Sequence, residues 1–173
     1  LCAIACFLPL LFGEFQGLYV FPIGLAILCL NTPICTLLSC DPDLEQAVRM
    51  IPGQTGRFCR RYSLFIFIVN GIVASIYLFS WQIINGNTDF IYVITLLLFA
   101  MQSAVLSVIL EWKRPIRNWK TESDLWHHPR KYVVPLIMLI LAALVGAWMS
   151  ILWIWSAALL IECGILLYTT RRE

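Results

Sequence analysis

Between Val133 and Tyr168 the chain runs for 36 residues with a single charged side chain, Glu162. Such a run cannot build a water-facing surface, and as one helix it would be about 54 Å long at 1.5 Å per residue. The hydrocarbon core of a bilayer is about 30 Å thick and is crossed by about 20 apolar residues. The run therefore predicts two membrane crossings folded back on each other, with a tight hairpin near Gly146–Trp153. Trp148, Trp153 and Trp155 flank that hairpin, and their amphipathic rings suit the membrane interface.

The rest of the chain repeats the pattern. Of its 173 residues 61% are hydrophobic and 13% charged, where an ordinary soluble domain carries about 25% charged residues. That deficit excludes a soluble globule and a disordered chain. The apolar runs are continuous rather than alternating, which predicts an all-α polytopic membrane bundle and excludes a barrel. Six segments can be read: Leu1–Phe12, Leu18–Cys40, Ser63–Ile84, Phe90–Leu110, Tyr132–Ser150 and Ile151–Tyr168. The first is too short to span and has no basic region before it, so it reads as the truncated end of a helix rather than a signal peptide. Seven cysteines, odd in number and without CxxC spacing, read as small lipid-compatible side chains rather than a disulfide or zinc framework.

Orientation follows from the bases. Arg49, Arg57, Arg60 and Arg61 follow the second segment; Lys113, Arg114, Arg117, Lys120, Arg130 and Lys131 follow the fourth; Arg171 and Arg172 end the chain. These are all 12 Lys and Arg residues. Six alternating spans place the three groups on one side, which the positive-inside rule makes the cytoplasm. The opposite connections carry Glu14 and Asp89 and no base. Residues 1–173 are thus expected to form one transmembrane domain with both termini inside and two cytoplasmic loops, 41–61 and 111–132. A net charge of +2 makes no case for nucleic acid.

The first loop has strong helix punctuation. Asp41 suits the N-cap, Pro42 the first helical position, and Asp43 and Glu45 the positive end of the dipole. Arg49 lies near the other end, and Pro52-Gly53 stops the helix. Leu44, Ala47, Val48 and Ile51 share one face, which predicts a helix of about three turns along the inner membrane surface. It either simply joins two spans or docks a cytoplasmic partner.

Two spans, an acidic-start amphipathic helix ending in Met50-Ile51-Pro52, and a basic turn into the third span resemble the permease subunits of bacterial ATP-binding-cassette exporters of the type-2 class. The resemblance implies that Asp41, Asp43, Leu44, Glu45, Val48, Arg49 and Ile51 form the helix that docks on the ATPase and couples hydrolysis to rearrangement. The chain carries no GxxxxGK[ST] motif, so the P-loop ATPase would be a separate subunit. A second permease copy or paralogue would complete the pathway, in the inner (plasma) membrane. The family usually has a longer outer segment between its fifth and sixth spans, nearly absent here.

In the second loop Trp112, Trp119 and Trp126 recur every seven residues among six bases and three acids, Glu111, Glu122 and Asp124. Pro115 and Pro129 prevent one continuous helix, and Thr121 with Asp124 suits the cap of a short one. Tryptophans among bases suit the headgroup layer, where the cations meet anionic membrane lipids. His127 and His128 are adjacent, point about 100° apart on a helix and have no third ligand nearby, so no metal site is expected.

Four polar residues interrupt the spans: Asn31, Asn70, Gln102 and Glu162. Counted from the expected cytoplasmic helix ends, all lie about 9–14 Å deep at 1.5 Å per residue. They predict one polar layer, in which Asn70 and Gln102, symmetric about Gly86, could bond to each other. Pro33 is expected to kink the second span near this layer. Glu162 has no base at its depth and is either protonated through desolvation or wetted by a cytoplasm-open cavity. The leading expectation is an exporter permease with no cofactor and no catalytic centre. An accessory or assembly subunit, and a membrane enzyme using Glu122, Asp124, His127 and His128 on a lipid or isoprenoid, are the alternatives.

Overall fold

The computed structural model describes residues 2–12, 20–29, 35, 37–51, 53–86, 89–113, 116, 129–148 and 150–172. They are helical apart from short connections: α1 (Cys2–Phe12), α2 (Phe21–Leu28), α3 (Leu37–Cys40), α4 (Pro42–Met50), α5 (Gln54–Asn85) and α6 (Phe90–Lys113). A 3-10 turn at Pro129–Tyr132 then leads into α7 (Val133–Ala147), followed by α8 (Ile151–Arg172). Four stretches are long and apolar enough to cross a membrane: Gln54–Asn85, Phe90–Lys113, Pro129–Ala147 and Ile151–Tyr168. The fold is an all-α membrane bundle.

Local chemistry places the boundaries. Gly86 closes α5 in the left-handed conformation, φ 66°, and its N–H bonds the Gln82 carbonyl at 2.9 Å. Only glycine takes that conformation without a Cβ penalty. The expected hairpin is present: α7 ends at Ala147, the Trp148 N–H bonds the Leu144 carbonyl, and α8 starts at Ile151. Trp148 and Trp153 are exposed, as interface rings should be, but Trp155 is 4% exposed. It points inward, edge-on to Phe99 at a centroid distance of 4.8 Å. Two residues along a helix is 200° of rotation, so Trp153 and Trp155 cannot share a face.

Three other expectations change. The segment Leu18–Cys40 is not one helix, since α2 ends at Leu28 and α3 begins at Leu37. Asn31, Thr32 and Pro33, between them, lie outside the described residues. Helix α5 begins at Gln54 rather than Ser63, so Arg57, Arg60 and Arg61 stand on its first turns instead of in a loop. Its 32 residues span about 48 Å, well beyond the hydrocarbon thickness. Finally, Trp112 is 6% exposed and packs in the protein rather than among headgroups. Trp119, Trp126, His127, His128, Glu122 and Asp124 lie outside the described residues.

The core has two parts. Toward the Gly86 end, Phe21 stacks on Tyr77 at 5.1 Å and meets Trp81 and Tyr92 edge-on. Toward the basic end, Val48, Cys59, Tyr62, Ile66, Ala104, Val108, Trp112 and Leu166 form a second cluster. What separates them is polar.

Candidate functional site

On α5 the buried residues recur three and four apart, including Ile66, Asn70, Val73 and Tyr77. This is the inward stripe of a packed helix, and Asn70 sits on it with no exposed surface. A buried amide must find partners. Asn70 Nδ2 donates to Ser103 Oγ at 3.1 Å, and Ser103 Oγ donates to the Cys29 carbonyl at 2.8 Å. The network joins α5, α6 and the end of α2.

The next residue of α6 turns to the other side. Gln102 Nε2 donates to Glu162 Oε2 at 2.6 Å, and Gln102 Oε1 accepts from the Trp155 indole at 2.7 Å. Both ends of the carboxamide are used, and α6 is tied to α8. Asn70, Gln102 and Glu162 thus bond at one level of α6, through the adjacent residues 102 and 103, and form a polar layer between the two apolar clusters; Asn31 lies outside the described residues. The expected Asn70–Gln102 bond does not form. Successive residues on a helix point about 100° apart, so Ser103 takes Asn70 and Gln102 takes the half-buried Glu162.

A second cluster lies at the basic end. Glu111 is 1% exposed and pairs with Arg130 at 2.6 Å. Ser39 N–H donates to Glu111 Oε2 at 2.9 Å, and the Ser39 hydroxyl donates to both carboxylate oxygens. The Ile116 N–H and Arg130 Nη1 in turn reach Ser39 Oγ, at 3.0 and 3.4 Å. Ser39 is on α3, Glu111 on the last turn of α6, and Arg130 in the turn before α7. One ion pair thus joins the chain on either side of the second basic segment to the chain just before α4. Ser103, Ser107 and Glu111, four apart and all buried, carry polar side chains along one face of α6 from the layer to this cluster.

Helix α4 is capped as its sequence implies: Asp41 Oδ1 accepts from the Asp43 and Leu44 N–H groups, both at 3.1 Å. Val48 is buried in the basic-end cluster, and Leu44 packs on it. Asp43, Gln46 and Ala47 are exposed. Ile51, expected on the apolar face, is half exposed, because the backbone is already extended there. Glu45 and Arg49 belong to the same helix; their side chains lie outside the described residues.

Sequence reasoning missed Ser39, Ser103, Trp155 and the Glu111–Arg130 pair. Glu111 reads from the sequence as a loop acid, although it directly follows an apolar run, where a carboxylate needs a nearby donor. Comparison with protein-family models, curated proteins and solved structures finds no match to this chain.

Proposed function

We propose that this chain is a multi-pass permease subunit of an ATP-driven exporter in the inner membrane, its basic end in the cytoplasm. A separate P-loop ATPase would engage it at α4, and a second permease copy or paralogue would complete the pathway. One observation carries the reading. Helix α4 presses Val48 and Leu44 into a cluster built from α5, α6 and α8, and leaves Asp43 and Gln46 exposed. A load on the exposed face is delivered to three helices at once, on the basic-end side of their polar layer. Ser39, two residues before the Asp41 cap, passes the same load to Glu111 and Arg130.

The test is charge reversal at Asp43, Glu45 and Arg49, one at a time, in the chain co-expressed with the ATPase that purifies with it. Transport-coupled ATPase activity should fall severalfold while the amount of folded membrane protein stays constant. Unchanged coupling in all three variants would reduce α4 to a link between helices.

The polar layer favours a second reading, an accessory or assembly subunit. Gln102 is satisfied at both ends of its carboxamide, which suits a packing role better than a pathway. Such a subunit would purify with a transporter whose transport rate is indifferent to Glu162→Gln.

A further inference from the structure

Helix α5 carries an exposed stripe opposite its buried one. At 100° per residue, Arg57, Arg60 and Arg61 fall within about 60° of one line along the helix, and all three are exposed. The same line continues through Leu64, Ile68 and Ile72, which are 56%, 48% and 58% exposed. The buried residues Cys59, Ile66 and Asn70 lie on the opposite side. Farther along, the stripe opens into a groove of about 570 Å³ centred on Gly71 and Ser75, bounded by Phe67 and Phe79 and walled by Leu96 and Leu97 of α6.

We infer that this face is a binding site for an anionic phospholipid, with its phosphate on the three arginines and one acyl chain in the groove. Charge and length both fit. Arg60 Nε is held by the Gly56 carbonyl at 3.0 Å, and Arg57 and Arg61 have no acidic partner among the described residues. From Arg61 to Gly71 is 10 residues, about 15 Å of helix, which is half of the roughly 30 Å hydrocarbon core and so within reach of an acyl chain inside one leaflet. Gly71 faces open space, since a Cβ there would meet nothing within 4 Å, so the hollow opens outward from the bundle. A soluble acidic protein could cover the arginines but not the apolar length below them. That continuity selects a lipid. The inference rests on the chain being membrane-embedded and not on the exporter reading.

The experiment reconstitutes the full chain in phosphatidylcholine vesicles containing trace spin-labelled phosphatidylglycerol or phosphatidylcholine, labelled near the acyl terminus. Motionally restricted phosphatidylglycerol should exceed phosphatidylcholine severalfold at low salt, because the clustered arginines attract the anionic headgroup. The triple variant R57Q/R60Q/R61Q should bring the ratio close to one. Gly71→Leu should reduce the restricted fraction while leaving the arginines in place. Lys113→Gln, an exposed base on α6 outside the stripe, should leave the ratio unchanged. A triple variant with the parental ratio, or a Lys113 variant that lowers it as much as Arg60→Gln does, overturns the site. So does a parental ratio of one combined with retention of a soluble acidic partner on the arginines.

Discussion

Replacing Arg130 by Met should be among the most destabilising single changes this chain can take. The substitution keeps much of the side-chain volume but leaves the Glu111 carboxylate, 1% exposed, with Ser39 as its remaining hydrogen-bond donor among the described residues. Removing one partner from a buried ion pair costs about 3–5 kcal/mol, because the remaining charge is uncompensated. The double variant Glu111→Met/Arg130→Met removes both charges. It strands the Ser39 N–H, at about 1–3 kcal/mol, and returns apolar contact with the Trp112 cluster, so it should be more stable than Arg130→Met alone. Arg130→Lys keeps the charge but not the fork that reaches both Ser39 and Glu111, and should fall between. The assay is unfolding in detergent micelles followed by tryptophan fluorescence, arranged as a double-mutant cycle. If Arg130→Met lies within about 0.5 kcal/mol of the parent, or the two single changes simply add, the pair is not the closed buried unit argued for here.

Glu162→Gln should be nearly silent in stability, because the amide oxygen still accepts from Gln102, whereas Glu162→Leu should lose roughly 0.6–1.7 kcal/mol; equal effects in thermal unfolding would sink that account. Trp155→Phe keeps the ring against Phe99 but strands Gln102 Oε1, and should cost about 1–3 kcal/mol in the same measurement. Gly24→Ala would drive a methyl into the Tyr77 hydroxyl and ring; the overpacking should cost about 1–3 kcal/mol, and an unchanged melting temperature would contradict the packing. For topology, a membrane-impermeant thiol probe on a cysteine-free background should label Asn85→Cys from outside and Gln54→Cys only after permeabilisation. Labelling of both from one side would refute the crossing of α5.

What the sequence reveals about this protein depends on how local the determinant is. The Asp41 cap, the Gly86 stop and the hairpin at Trp148 are each written within four residues, and all are present. The start of α5 was misread because hydropathy locates the membrane, not the helix. No proline lies between Gln54 and Ser63, and Gly56 in the first turn does not stop the helix, so it continues past the apolar run with its arginines attached. The common level of the polar layer was legible from a rise of 1.5 Å per residue. Its pairing was not, because which neighbour meets Gln102 depends on the rotation of α6 against α5 and α8. The same holds for Glu111: its burial is decided by Ser39 and Arg130, 72 and 19 residues away.

After α5 and after α7 the connections opposite the basic end are short, residues 86–89 and 148–150, and Asp89 is the one charge in these two. During synthesis the insertion machinery has very little polar chain to carry across the bilayer at either turn. Helices α5 and α6 are therefore suited to enter together, as a preassembled hairpin rather than as two independent segments. That timing matters for Asn70. An amide released alone into hydrocarbon would have no donor or acceptor to meet, but its partner Ser103 arrives on the other arm of the same hairpin. The fully buried amide of α5 is thus partnered from within its own insertion unit, before α7 and α8 have been made.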